Sequence, residues 1–252
     1  MKIGLVLSGG GARGFVHLGV LKAMNELHIA PNLISGSSAG ALIGALYAAG
    51  YSPEYIYDLI LQKGIKGNLR FALNRFGLFS MTKIEKLLTE YIPHNSFEQL
   101  KVKLTVCATD IKRGEPKYFN SGELNKVVLA SCSIPGVFAP IIIDGKTYID
   151  GGVTNNLPLE PIEEESDFLI GVNVMPPEKN MPISSAKDIL VKCLLLSVGQ
   201  QALAKVDKFD IMIQPKGISH FDGLSLSKSQ QLFDIGYKTA KEQLLWGIEK
   251  LN

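Results

Sequence analysis

Residues 33–43 read LISGSSAGALI. The short apolar run at 33–35 reads as a buried strand. Residues 39–49 are mostly small and stop at Gly50, so they read as a helix with a glycine just past its C-terminus. The two meet in Gly36-Ser37-Ser38-Ala39-Gly40, a Gly-x-Ser-x-Gly pattern. Between a strand and a helix this pattern describes a nucleophile elbow, a sharp turn that lifts a serine Oγ clear of the sheet. Gly36 and Gly40 leave room for the backbone to bend. The helix N-terminus offers free N–H groups, that of Ala39 among them, to a developing oxyanion. Ser38 is the candidate nucleophile; Ser37 lies off the pattern and supports the turn. With 25 glycines in the chain, the five residues taken alone also fit an ordinary tight turn.

About 25 residues upstream stands Ser8-Gly-Gly-Gly-Ala-Arg-Gly14, after an apolar run at 2–7 that reads as another buried strand. Gly9, Gly11 and Gly14 fit Gly-x-Gly-x-x-Gly, and a dinucleotide site is the rival reading. That site needs an acidic residue at the end of the next strand. The next strand ends instead in the serine motif, and Glu26 comes too early. No Gly-Lys-Ser/Thr completes a phosphate loop. A glycine loop ahead of a serine elbow is better read as an oxyanion hole built from Gly9, Gly10, Gly11, Ala12, Arg13 and Gly14. Arg13 either fixes this loop, meets an anionic head group, or is a plain exposed residue at a helix start.

Asp150-Gly151-Gly152 is the third motif, although Asp-Gly is a common turn dipeptide and Asp144-Gly145 lies six residues earlier. Asp144 caps a hairpin turn, and Asp150 ends the returning strand about 20 Å away, so one serine cannot meet both. Of the four histidines, His17 and His28 fall in or just after the first helix and His94 in a Pro-His-Asn turn. His220 alone follows Asp150, in the Ser…Asp…His order of α/β-hydrolases. A triad with His220 stays open on order, but an elbow at residue 38 leaves no room for the strands that precede it in that fold.

Elsewhere, helices are expected over 12–27, from Pro53 to about 62, from a capping-box signature at Thr82-Lys-Ile-Glu85 to about 91, over 124–132, and near 187–204 and 227–250. Strands are expected at 101–110, 116–120, 141–143, 147–149, 168–174 and 209–214, the first four pairing as two hairpins. Strands alternating with helices make an α/β layered domain. A chain of 252 residues, 46% hydrophobic and 20% charged, buries a sizeable core. A net charge of +2 without a dense basic run gives no sign of nucleic acid. Mean hydropathy is +0.16, and no run of about 18 apolar residues occurs to cross a membrane. Cys107, Cys132 and Cys193 are far apart and suit a reducing compartment rather than a disulfide or metal framework. A cytoplasmic location is expected, with no cofactor and no metal.

The ordered motifs GGGARG, GSSAG and DGG, together with GFVHLGVLKAM and SCSIPGVFAPI, resemble the patatin-like phospholipase family, close to its small bacterial members. The resemblance covers residues 3–165, expected as the catalytic core, with 166–252 as an α/β extension packed in the same domain. It implies a three-layer sandwich, a central mostly parallel sheet flanked by helices. It also implies a Ser–Asp dyad that needs no histidine: Ser38 as nucleophile, Asp150 as proton acceptor, the Gly9–Gly14 loop as oxyanion hole, notably through the N–H groups around Gly10 and Gly11, and Gly36, Gly40, Gly151 and Gly152 as motif support. The implied activity is hydrolysis of (lyso)phospholipids or related acyl lipids. An acyltransferase using the same acyl-enzyme and a non-enzymatic regulator are the alternatives. Residues 69–81, LRFALNRFGLFSM, carry Phe71, Phe76 and Phe79 beside Arg70 and Arg75. They read either as ordinary packing or as a lipid-facing flap giving peripheral contact with a membrane surface.

Overall fold

The computed structural model describes residues 1–62, 71–74, 77–79, 81–176, 184, 186–221, 223 and 225–248. In chain order these form β1 (Ile3–Leu7), α1 (Phe15–Glu26), β2 (Leu33–Ser37), α2 (Ala39–Ala48), α3 (Pro53–Gln62), β3 (Phe71–Asn74), β4 (Gly77–Phe79) and α4 (Thr82–Tyr91). Then come β5 (Lys103–Asp110), β6 (Glu115–Phe119), α5 (Leu124–Ser131), β7 (Ile141–Ile143), β8 (Lys146–Asp150), α6 (Gly152–Asn155) and α7 (Glu160–Glu163). The chain ends with β9 (Phe168–Val172), α8 (Ala186–Leu203), β10 (Ile211–Ile213) and α9 (Ser229–Ile248).

Side-chain alternation along the strands builds three layers. In β1, Leu5 and Leu7 face one core and Val6 the other; in β2, Ile34 and Leu33 divide the same way, as do Ile170 and Leu169 in β9. The larger core lies under α1, α2, α3, α5 and α9, and the smaller one under Leu159, Ile162 and Ala202 of the opposite face. Strands buried on both faces are favoured to be apolar on both, and β1 and β9 accordingly carry no hydrophobic alternation in sequence.

The sheet runs β10-β9-β1-β2-β5 in parallel, and β5 then turns the sheet mixed by pairing antiparallel with β6 and β8, and β8 with β7. Strand order reverses at β1, between β9 and β2, and crevices for ligands open at such switch points, beyond the carboxyl ends of the strands. The glycine loop and the serine elbow follow β1 and β2 at that edge.

Two expectations need correction. The first helix does not start at Ala12: Gly11 has φ 55° and opens a 3-10 turn over Gly11–Gly14, and α1 begins only at Phe15. Thr82 is the first helical residue of α4 and not its cap; Met81 occupies that position with no side-chain capping bond. The strands β3 and β4 pair as a small antiparallel hairpin inside the stretch read either as ordinary packing or as a lipid-facing flap. The side chains of Phe71, Phe76 and Phe79 lie outside the described residues.

Candidate active site

Ser38 joins β2 to α2 with φ 52° and ψ −120°. A non-glycine residue in this region costs about 1–3 kcal/mol and persists only where its surroundings hold it. The bend draws strand and helix together: a Cβ on Gly36 would lie 2.7 Å from Gly40 C and O, and one on Gly40 would lie 2.2 Å from Leu7 O. Both glycines of the motif are therefore required by contact. Ser37 ends β2 with a buried Oγ that has no hydrogen-bond partner among the described residues.

Strand register brings Asp150 to the serine. Val106 and Cys107 of β5 pair with both β2 and β6, so those two strands lie on opposite edges. Residues 108–110 pair with both β6 and β8, so β8 shares the edge of β2. Cys107 pairs with Ser37 and Ala108 with Asp150, consecutive positions on β5. Strands β2 and β8 thus meet end to end, and the residues at their tips, Ser38 and Asp150, come together. Gly151 fits the junction because a Cβ there would stand 2.2 Å from Cys107 O.

Asp150 is 6% exposed. Its Oδ1 accepts the Gly152 N–H at 2.8 Å, while Oδ2 is buried with no partner in hydrogen-bond geometry among the described residues. Burial pushes the carboxyl up to about 6, against the Ser38 hydroxyl and the Gly152 N–H, which favour the charged form. Ser38 acts on the carboxylate but stands outside good hydrogen-bond geometry. No histidine is among the groups acting on Asp150.

The glycine loop lies against the serine: a Cβ on Gly9 would be 3.0 Å from Ser38 Cβ and 2.5 Å from Asn156 Oδ1. Three of its N–H groups are engaged elsewhere, Gly9 with Asn156 O, Ala12 with Gly223 O and Arg13 with Gly10 O. No hydrogen bond to a described residue's backbone takes the N–H of Gly10 or Gly11. Gly14 packs the loop against α2, since a Cβ there would be 2.9 Å from Ala39 Cβ. Ala39 is the first residue of α2, so its N–H has no partner within the helix.

Arg13 is buried, and its guanidinium donates to the carbonyls of Phe221 (2.8 Å) and Ser219 (2.9 Å). It ties the 3-10 turn at Ile218–His220 over the loop. His17 is fully buried with its ring Nε2 2.8 Å from Ser8 O; a carbonyl only accepts, so Nε2 carries the proton. Burial lowers its pKa to about 4, partly offset by that bond, and His17 is a neutral brace of the loop.

A cavity of about 130 Å³ opens beside Ser38. Phe15, Leu42, Ile43, Ile60, Ile84 and Phe138 line it, with Gly223 and Leu226 from the chain beyond β10. The lining is apolar and suits an acyl chain. Asn156, Ser131 and Phe138 belong to this region and carry no signal in the motifs; only the stretch SCSIPGVF marks the last two. Among the described residues no cluster of His, Cys, Asp or Glu could hold a metal ion, and no helix is long and apolar enough to cross a membrane.

Residues 5–162 match the patatin-like phospholipase family. An uncharacterized NTE family protein of Mycobacterium tuberculosis is 34% identical over 176 residues, which cover 69% of this chain and 49% of that protein. Lysophospholipase nte1 of Aspergillus fumigatus is 33% identical over 187 residues, 71% of this chain and 12% of the fungal protein. The chain thus spans about half the length of the mycobacterial relatives it matches. The crystal structure of VipD from Legionella pneumophila aligns over 98% of this chain and 67% of its own, with a TM-score of 0.65 and 15% identity, a likeness of fold.

Proposed function

Since the chain belongs to the patatin-like phospholipase family, we propose that it is a serine acyl hydrolase of (lyso)phospholipids or related acyl lipids, working through a Ser38–Asp150 dyad. The observation that carries this reading is the junction of β2 and β8, where a strained serine meets a buried carboxylate beside an apolar cavity.

Ser38 Oγ attacks the ester carbonyl carbon while its proton passes to Asp150. The carbonyl oxygen becomes the oxyanion and is held by the N–H groups of Gly10, Gly11 and Ala39, with the positive end of the α2 dipole behind them. The C–O bond to the leaving alcohol then breaks, and the proton on Asp150 goes to that alcohol oxygen. Water attacks the acyl-enzyme, gives a proton to the same carboxylate, and the fatty acid leaves as Ser38 regains its proton. An ordinary aspartate near pH 4 is a weak base at neutral pH; a carboxyl raised to about 6 is stronger and still largely ionised. Acyl chains in the cavity exclude water and strengthen these interactions.

A fluorophosphonate probe and a long-chain ester substrate test the proposal with wild type and Ser38→Ala. Covalent labelling and fatty-acid release in wild type, both lost in Ser38→Ala with the fold intact, is the expected result. A wild-type protein that neither labels nor hydrolyses any acyl ester overturns it.

A further inference from the structure

Where β2 ends, Ser38 N–H leaves the sheet ladder, and where β2 gives way to β8, Cys107 C=O is at the seam. One side chain meets both groups. Ser131, at the C-terminus of α5 and fully buried, has its Oγ 2.8 Å from Ser38 N and 2.6 Å from Cys107 O. The polarity is fixed by chemistry. A carbonyl can only accept, so the single hydroxyl proton points to Cys107 O and a lone pair receives the Ser38 N–H.

The same turn grips the rest of the dyad. Cys132 Sγ lies 3.3 Å from Ser38 O, so consecutive residues hold the N–H and the C=O of the elbow residue. Gly151 N–H donates to Ser131 O at 3.3 Å and Asp150 N–H to Ser133 O at 2.9 Å. Ser38 and Asp150 lie on separate strand tips with no backbone bond to each other, and the segment Ser131–Ser133, where α5 ends, is bonded to both.

We infer that Ser131 is a positioning residue: its hydroxyl fixes the strained backbone of Ser38, and so sets the direction of Oγ toward Asp150 and the ester carbon. The inference rests on Ser38 being the nucleophile. Without the hydroxyl, a buried N–H and C=O lose their partner, and the elbow is free to relax toward an ordinary backbone conformation. A displacement of about 1 Å at a reacting atom can lower a rate about 100-fold.

The test measures kcat and KM on a soluble ester, the rate of fluorophosphonate labelling, and thermal stability. Ser131→Ala is expected to lose about 10- to 100-fold in kcat and in labelling rate, with KM within about 2-fold of wild type. Ser131→Thr, which keeps the hydroxyl, is expected to recover most of the labelling rate. Ser166→Ala removes a hydroxyl bonded to Ile162 O away from the site and is expected to label at the wild-type rate. If Ser131→Ala does not fold, Ser131→Cys carries the test, because a thiol keeps the shape but is a weak donor and acceptor. Wild-type labelling by folded Ser131→Ala or Ser131→Cys overturns this inference and leaves the nucleophile standing. Labelling that does not depend on Ser38 overturns both.

Discussion

Burial raises the Asp150 carboxyl to about 6, and in the proposed mechanism this single group links activity to stability. In the proposed mechanism activity needs the ionised form, so kcat/KM is expected to fall as pH drops through about 6. That is near an ordinary histidine pKa, so the limb must persist in His220→Ala if Asp150 sets it. Stability runs the other way. A carboxyl with a raised folded pKa favours the fold below its unfolded value near 4, and that contribution is lost as pH rises to about 6. Asp150→Asn is therefore expected to be inactive yet more stable at pH 7, by on the order of 3 kcal/mol, read by urea unfolding. An active Asp150→Asn, or one less stable than wild type, contradicts this account. Gly40 shows a steric requirement at the same scale. Gly40→Ala would press a methyl onto the Leu7 carbonyl, and a loss of about 3 kcal/mol or more is expected along with activity. A folded, fully active Gly40→Ala would refute the close approach.

At the scale of elements, the glycine loop is held from three directions. His17 of α1 braces Ser8 O, Asn156 O takes the Gly9 N–H, and the segment after β10 covers the loop through Arg13 and the Ala12 N–H. Arg13 thus serves this loop by binding carbonyls and not by facing the cavity, although its place in the motif also suits a head-group contact. Hydrogen bonds to charged donors contribute about 1.5–3 kcal/mol each. Arg13→Met is expected to lower stability by about 3 kcal/mol. Hydrogen exchange should quicken at Ile218–Phe221 before it quickens in β1 or β9. Uniform exchange across the protein would show that the arginine does not hold this segment.

At the scale of the whole molecule, the family match stops at residue 162, while the core does not. Strand β9 pairs along all of β1, and Leu232, Phe233, Ala240 and Leu244 of α9 are buried in the larger core. Gly223 and Leu226 line the cavity. A fragment ending at Glu165 leaves one edge of β1 unpaired and the apolar face of α1 uncovered. It is expected to lack cooperative thermal unfolding by circular dichroism; a cooperative, labelling-competent fragment would show that the last third is dispensable.

The elbow and glycine loop were legible because strand end, glycines and helix start are contiguous in each, although several of the contacts that require the glycines come from farther away, Leu7 O at Gly40, Asn156 Oδ1 at Gly9 and Gly223 O at Gly11. Asp150 was legible through its motif, and the buried strands through their apolar runs. Four things depended on the tertiary structure. The end-to-end meeting of β2 and β8 is a property of the register on β5, which no residue of either strand encodes alone. The resemblance already pointed to Gly10 and Gly11, but why their N–H groups stay available among the described residues depends on distant partners, Asn156 O for Gly9 and Gly223 O for Ala12. Arg13 and Ser131 find their partners about 90 to 210 residues away, at Phe221, Ser219 and Ser38. The sequence by itself determined which groups are candidates to react and where the chain bends, because bond geometry and helix ends are short-range. The tertiary structure decided which carboxylate the serine meets, which donors remain free and what clamps the elbow, because burial and hydrogen bonding between distant segments exist only once the sheet has closed.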